Sequence, residues 1–210
     1  MIEEIGTTPK GLNIEVHESI NVDPTSALRG YMTTYSGLKF YPIDPQPESI
    51  TIEDIAHSLS LTCRWSGHIT RFFSVAQHSI YVSEMVSSKN KLAALLHDSS
   101  EAYLGDMIRP IKYLPEMAIY KDIEKKATAA IAKKFGLETL EKNEEIHWAD
   151  NLILALEAVN FRRPVPQFAL DILEENKGAK ELFFDSWEPE YAEKRFLRAF
   201  KEYQEPRKHF

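Results

Sequence analysis

Apolar positions in this chain recur mostly at intervals of three and four residues, the repeat of one face of an α-helix, and they divide the sequence into amphipathic segments. Between residues 52 and 63, Ile52, Ile55, Ala56, Leu59 and Cys63 form one stripe, preceded by Thr51 and Asp54 at the spacing of a capping box. This predicts a helix that delivers Arg64 and Trp65 at its end. Residues 74–86 place Val75, Val82 and Met85 on a stripe behind Ser74, a good N-cap. Residues 91–104 open on Leu92, Ala93, Ala94, Leu95 and Leu96, apolar on every side, which predicts a central helix. Three further helices are expected: one from Pro115 to Phe135 with Gly136 as its stop, one over 143–160, and a closing one over 187–203 with Ala192, Phe196, Ala199 and Tyr203 inward.

The remaining stretches lack that repeat. Residues 30–43 alternate aromatic and small side chains about Ser36-Gly37, which predicts a short hairpin, and Pro42, Pro45 and Pro47 then enforce an extended linker. Residues 66–73 form a loop carrying His68 and Arg71. Pro110 breaks any helix after Asp106, so the stretch up to Pro115 is a candidate active-site loop. Pro164 and Pro166 mark another irregular connection. The fold class expected is all-α, a helical bundle with a short N-terminal β-hairpin. The chain reads as one domain over 1–210, with 1–50 as an N-terminal extension.

Several polar residues interrupt the apolar faces. His78 falls on the stripe of its helix, His97-Asp98 ends the apolar run with Glu101 one turn further on, and Asp150 follows Ile146 and precedes Ile153 on an inward face. Burying two unpartnered carboxylates costs several kcal/mol, so they must find cations or be neutralised. One shared divalent ion solves this for all four groups. Two imidazoles and two carboxylates suit zinc, cobalt, manganese or iron, with magnesium as an alternative, and would be unusual for calcium. Taken singly, such a His is more often a hydrogen-bonded core residue than a ligand, and such an Asp pairs with an Arg or caps a neighbour; together they make coincidence a poor explanation.

In these residues the chain resembles the HD-domain metal-dependent phosphohydrolases, whose motif H…HD…D is drawn from separate helices of an all-helical fold. IEDIAHSLSLTCRWSGHITRFFSVAQHS, AALLHDSSEAYLGDMIRPIK and ADNLILALEA look like the small nucleotidase branch, which includes bacterial 5'-deoxynucleotidases and phage dATP triphosphohydrolases. The resemblance runs over about residues 35–161 and leaves 1–34 aside. It implies that His78, His97, Asp98 and Asp150 ligate the metal, that Glu101 is the acid/base group, and that Asp106 contacts the sugar hydroxyl. It further implies that Arg64 and Trp65 hold phosphate and sugar and that Lys112 binds phosphate. His68, on the loop after Trp65, is added as a candidate substrate contact. The activity so implied is hydrolysis of the 5' phosphoester of a deoxynucleotide, releasing nucleoside with phosphate, or with triphosphate from dATP or another dNTP. The family commonly forms homo-oligomers, so an assembly is expected. The extra histidines of two-metal relatives and the GYP motif of cyclic dinucleotide phosphodiesterases are not found. A competing reading is a non-catalytic, metal-containing nucleotide-binding regulatory module, against which the presence of Glu101 counts.

Composition narrows the field without choosing within it. With 43% hydrophobic and 27% charged residues in 210, the chain can bury a sizeable core. One cysteine, Cys63, rules out an internal disulfide framework and a cysteine zinc cluster, which points to a reducing cytoplasm. No apolar run approaches the length of a membrane span. A net charge of −7 disfavours binding to a nucleic acid duplex, whereas a small nucleotide gripped by a few cations remains compatible with it.

Overall fold

A computed structural model describes residues 30–179 and 184–204, and the reading of the N-terminal 1–29 lies outside the described residues. The architecture is mostly helical, with one small antiparallel hairpin ahead of the helices. Strands β1 (Met32–Thr33) and β2 (Lys39–Phe40) pair Met32 with Phe40, and the turn uses Gly37 at φ 85°. The extended linker expected after it is partly replaced by a 3-10 turn over Pro47–Ser49.

Helix α1 (Ile52–Leu61) starts as its sequence dictates, with the Thr51 hydroxyl accepting from the Asp54 amide. It stops earlier than its stripe suggests. The chain leaves at Thr62, and Cys63 pairs with Ser74 in an isolated bridge that closes the loop between α1 and α2 (Val75–Glu84). Ser74 caps α2 by accepting from the Gln77 amide. The expected continuous helix over 91–104 is interrupted: α3 (Lys91–Leu95) and α4 (Glu101–Leu104) are separated by tight turns through residues 96–100. There the amides of Ser99 and Glu101 bond three residues back, to Leu96 and Asp98. The break turns His97 and Asp98 toward one point where a continuous helix would spread them about 100° apart.

A short helix α5 (Arg109–Lys112) and a 3-10 turn (Pro115–Met117) lead into α6 (Ala118–Lys134), which ends at Gly136, φ 70°. Helix α7 (Glu144–Phe161), capped by the Asn143 side chain, is the longest described. After it α8 (Gln167–Glu175) fills part of the expected irregular connection, and α9 (Pro189–Gln204) closes the chain.

Two apolar clusters result. One joins α1, α3, α6 and α9 through Ile55, Leu59, Leu95, Ile131 and Phe196, with Phe40 of the hairpin sealed into it. The other gathers Val82, Phe73, Leu152, Leu156 and Phe161 around α7. Helix α2 contributes to both, Val75 and Ile80 to the first and Val82 to the second, and His78 lies on α2 between these contributions. Fully burying a side chain such as Phe196 contributes roughly 2–3 kcal/mol. The site is therefore held by helices fixed on two sides.

Candidate metal centre

Three segments bring His78 (α2), His97 and Asp98 (the α3–α4 turn) and Asp150 (α7) together. His78 Nε2 lies 3.1 Å from Asp150 Oδ1 and 3.7 Å from Asp98 Oδ2. His97 Nε2 lies 3.1 Å from Asp98 Oδ2 and 3.9 Å from Asp150 Oδ1. His78, His97 and Asp98 offer ligand atoms that are all within 4.8 Å of one another, a group able to hold a metal ion.

The hydrogen bonds on the far side of each ring define what the near side can do. His97 Nδ1 is 2.6 Å from the Ala94 carbonyl and His78 Nδ1 is 2.6 Å from Glu157 Oε1, and both partners only accept. Each Nδ1 is thus the donor, and a neutral ring then turns a bare Nε2 lone pair inward. Both Nε2 atoms are buried without a hydrogen-bond partner, yet they face carboxylate oxygens. Lone pairs opposed in this way repel. Double protonation would relieve them only by placing two positive rings with centroids 5.3 Å apart inside the protein. One cation among the four atoms satisfies all of them, so the residues present fit a divalent metal.

Electrostatics agree with that arrangement. Burial alone would raise the carboxyls of Asp98 and Asp150; the two histidines and Lys142 outweigh it and hold both well below the usual carboxylate range. Glu101 behaves oppositely. Burial, with the charges of Asp98 and Asp106 adding to it, pushes its carboxyl well above the ordinary value, and its Oε2 is buried without a partner.

Two residues of this network were missed in the sequence. Glu157, fully buried on α7 two turns after Asp150, binds His78 through Oε1 and accepts from Arg64 Nε and Trp65 Nε1 through Oε2, both at 3.1 Å. Its spacing of seven from Asp150, on the same helical face, was the available signal. Lys142 lies 2.6 Å from Asp150 Oδ2 and 3.6 Å from Asp98 Oδ1; a lysine just before an N-cap reads as a solvated charge, so nothing in the sequence marked it.

The other candidates divide. Arg64 is brought to the cluster, its NH1 3.9 Å from Asp98 Oδ2. Trp65 reaches the centre through Glu157, with Arg162 over its ring and Phe168 beside it. Trp65 and Ser66 have φ of 58° and 50°, a left-handed corner that non-glycine residues rarely adopt and that clusters at functional sites. His68 is exposed, and Asp106 is half-buried close enough to Glu101 for their charges to interact. A cavity of about 850 Å³ opens from His97, Asp98, Glu101 and Asp150 and extends along α5 and α6. Lys112 lines it, bound to Glu124 at 2.5 Å.

Comparison with known proteins identifies the family. The family model "5'-deoxynucleotidase YfbR-like" matches residues 51–158, just over half of the chain. The uncharacterized protein YfdR of Escherichia coli is 39% identical over 127 residues, 60% of this chain and 70% of that protein. An uncharacterized protein of Rhodobacter capsulatus is 41% identical over 118 residues, 52% of this chain and 60% of that protein. The span of the family match covers all four converging side chains together with Arg64, Glu101 and Glu157, and the chain belongs to the YfbR-like family of HD-domain hydrolases.

Proposed function

We propose that this protein is a divalent-metal-dependent phosphohydrolase that cleaves the 5' phosphoester of deoxynucleotides. The observation that carries the reading is the pair of buried, unpartnered imidazole nitrogens facing two carboxylates, beside a cavity that His97, Asp98 and Asp150 line and that is large enough for a nucleotide. His78, His97, Asp98 and Asp150 would hold the ion. When bound, it supplies charge neutralisation for phosphate oxygens and acidity to water.

The chain's own groups supply the rest. Glu101, with one free buried oxygen and a raised pKa, is suited to hold a proton at the reacting centre and pass it to the leaving 5'-oxygen. Arg64 presents its guanidinium beside Asp98, where charge on the phosphoryl oxygens would grow. Lys112 is within reach of the cavity and would exchange Glu124 for a phosphate oxygen. Trp65 is assigned to the nucleoside and Asp106 to the sugar hydroxyl, with His68 at the outer edge of the loop.

Between a monophosphate and a triphosphate substrate, the cavity wall favours the triphosphate. Arg109 and Lys112 of α5 and Lys121, Lys125 and Lys133 of α6 line it beside Glu124, Glu138 and Glu141, so away from the ion-holding group five cations face three acids. That excess of positive charge exceeds the need of a single phosphate already placed at the ion, and suits the extended charge of a triphosphate. dATP is the favoured case, with dAMP the close alternative. The test is turnover of dATP, dAMP, ATP and the other dNTPs by the purified protein with manganese or cobalt. Inorganic triphosphate from dATP supports this version, phosphate from dAMP alone assigns the monophosphate one, and no turnover of any nucleotide overturns both.

A further inference from the structure

We infer that Lys142 is a positioning residue of the cation site, bracing Asp98 and Asp150 so that their inner oxygens converge with the two imidazoles. This rests on the reading that those four side chains hold an ion. The carboxylates divide their oxygens consistently. Asp98 Oδ2 and Asp150 Oδ1 face the imidazole nitrogens at 3.1 Å, while Asp98 Oδ1 and Asp150 Oδ2 face the Lys142 ammonium at 3.6 and 2.6 Å. Among the described residues, Lys142 is the one Lys or Arg in ion-pair contact with both aspartates; Arg64 reaches Asp98.

The ammonium is itself held in place. Lys142 sits in the segment 136–143 between α6 and α7, whose Leu140 is buried in the first apolar cluster and whose Asn143 caps α7 by accepting from the Ile146 amide at 3.0 Å. The chain is therefore anchored two positions behind the lysine, at Leu140, and one ahead of it, at Asn143. Asp150 lies two turns into the helix that Asn143 starts, so one local structure sets both the lysine and its partner.

An ammonium close to a divalent cation repels it, but both carboxylates lie between, and each is negative. Without the lysine, the outer oxygens lose their partner in a largely buried place, and Asp98 is free to turn toward Arg64. The donor set then loses its convergence. Hydrogen-bond partners of ligating carboxylates typically govern metal affinity by about 10- to 100-fold.

The experiment is a titration of chelator-stripped protein with Co(II), followed by calorimetry and by the visible absorption of the bound ion, for the unsubstituted protein and for Lys142→Met, Lys142→Gln and Lys142→Arg. The expected result is a loss of Co(II) affinity of about 10-fold or more in the Met and Gln variants, with a changed absorption spectrum. Lys142→Arg, which keeps the charge and can fork across two carboxylates, restores both affinity and spectrum. Binding as tight as or tighter than the unsubstituted protein in Met and Gln, with the spectrum unchanged, overturns the inference. A failure of the unsubstituted protein to take up Co(II) saturably overturns instead the cation reading on which it rests. Lys142→Gln guards against a Met variant that does not fold, and thermal unfolding of each stripped protein identifies that case.

Discussion

His78 and Glu157 share a 2.6 Å hydrogen bond in a place from which solvent is excluded, both side chains being fully buried. The bond selects the tautomer that turns Nε2 toward Asp150, and the second oxygen of the same carboxylate holds Arg64 and Trp65. One buried charge thus orients the His78 ring and steadies the strained corner beside it.

Glu157→Gln is expected to weaken metal binding by about 10- to 100-fold, because its amide can present a donor to Nδ1 and so place the ring proton on Nε2. Calorimetric titration with manganese or cobalt measures it. Unaltered affinity would show that the tautomer of His78 is set by something else.

Glu101→Gln separates catalyst from metal-holding module. Turnover is expected to fall by about 10²- to 10⁴-fold while one ion per chain is retained, the loss typical of removing a general acid or base. Steady-state kinetics and metal analysis of the same preparation give the comparison, and an unchanged rate would remove Glu101 from the reaction.

The lysine wall is testable by selectivity. Lys125→Gln with Lys133→Gln is expected to raise KM for dATP about fivefold, at the small energies of exposed charges, while leaving KM for dAMP unchanged. Equal effects on both nucleotides would place the triphosphate tail elsewhere.

Asp54 ties the hairpin to α1, accepting from the Ser36 amide at 2.6 Å and the Ser36 hydroxyl at 2.8 Å. Burial works against its charged form, and these hydrogen bonds, with those of Thr51 and Thr34, outweigh it and lower the pKa. A lowered folded pKa means that the carboxylate's contribution is complete above the ordinary carboxylate value and disappears as pH falls through the lowered one. Asp54→Asn should therefore cost about 1–3 kcal/mol at neutral pH, and the difference should shrink on acidification. Urea unfolding at neutral and acidic pH measures it; a gap independent of pH would contradict the assignment.

Much of the architecture was legible because it rests on local rules. Thr51 and Ser74 each begin a helix with the expected side-chain cap, α7 starts where its repeat starts, and the stripe through Ala192, Phe196 and Ala199 is buried in α9. The interruption between α3 and α4 was not, since an apolar run ending in His97-Asp98 has the same pattern whether or not the helix continues. The four converging side chains stood out as polar residues on apolar faces. Glu157 was hidden among the buried Ala155, Leu156 and Ala158 that flank it in α7, and Lys142 by lying in a connection without a repeat. What brings both to the centre is the packing of α2 against α7 and the anchoring of Leu140, neither of which periodicity records.

The most direct test of the metal centre is elemental analysis of the purified protein beside Asp150→Ala, with nucleotide turnover measured on the same samples. One divalent ion per chain is expected in the unsubstituted protein, and loss of both ion and turnover in the variant. Turnover by a protein without a stoichiometric ion, or full retention of the ion in Asp150→Ala, would contradict it.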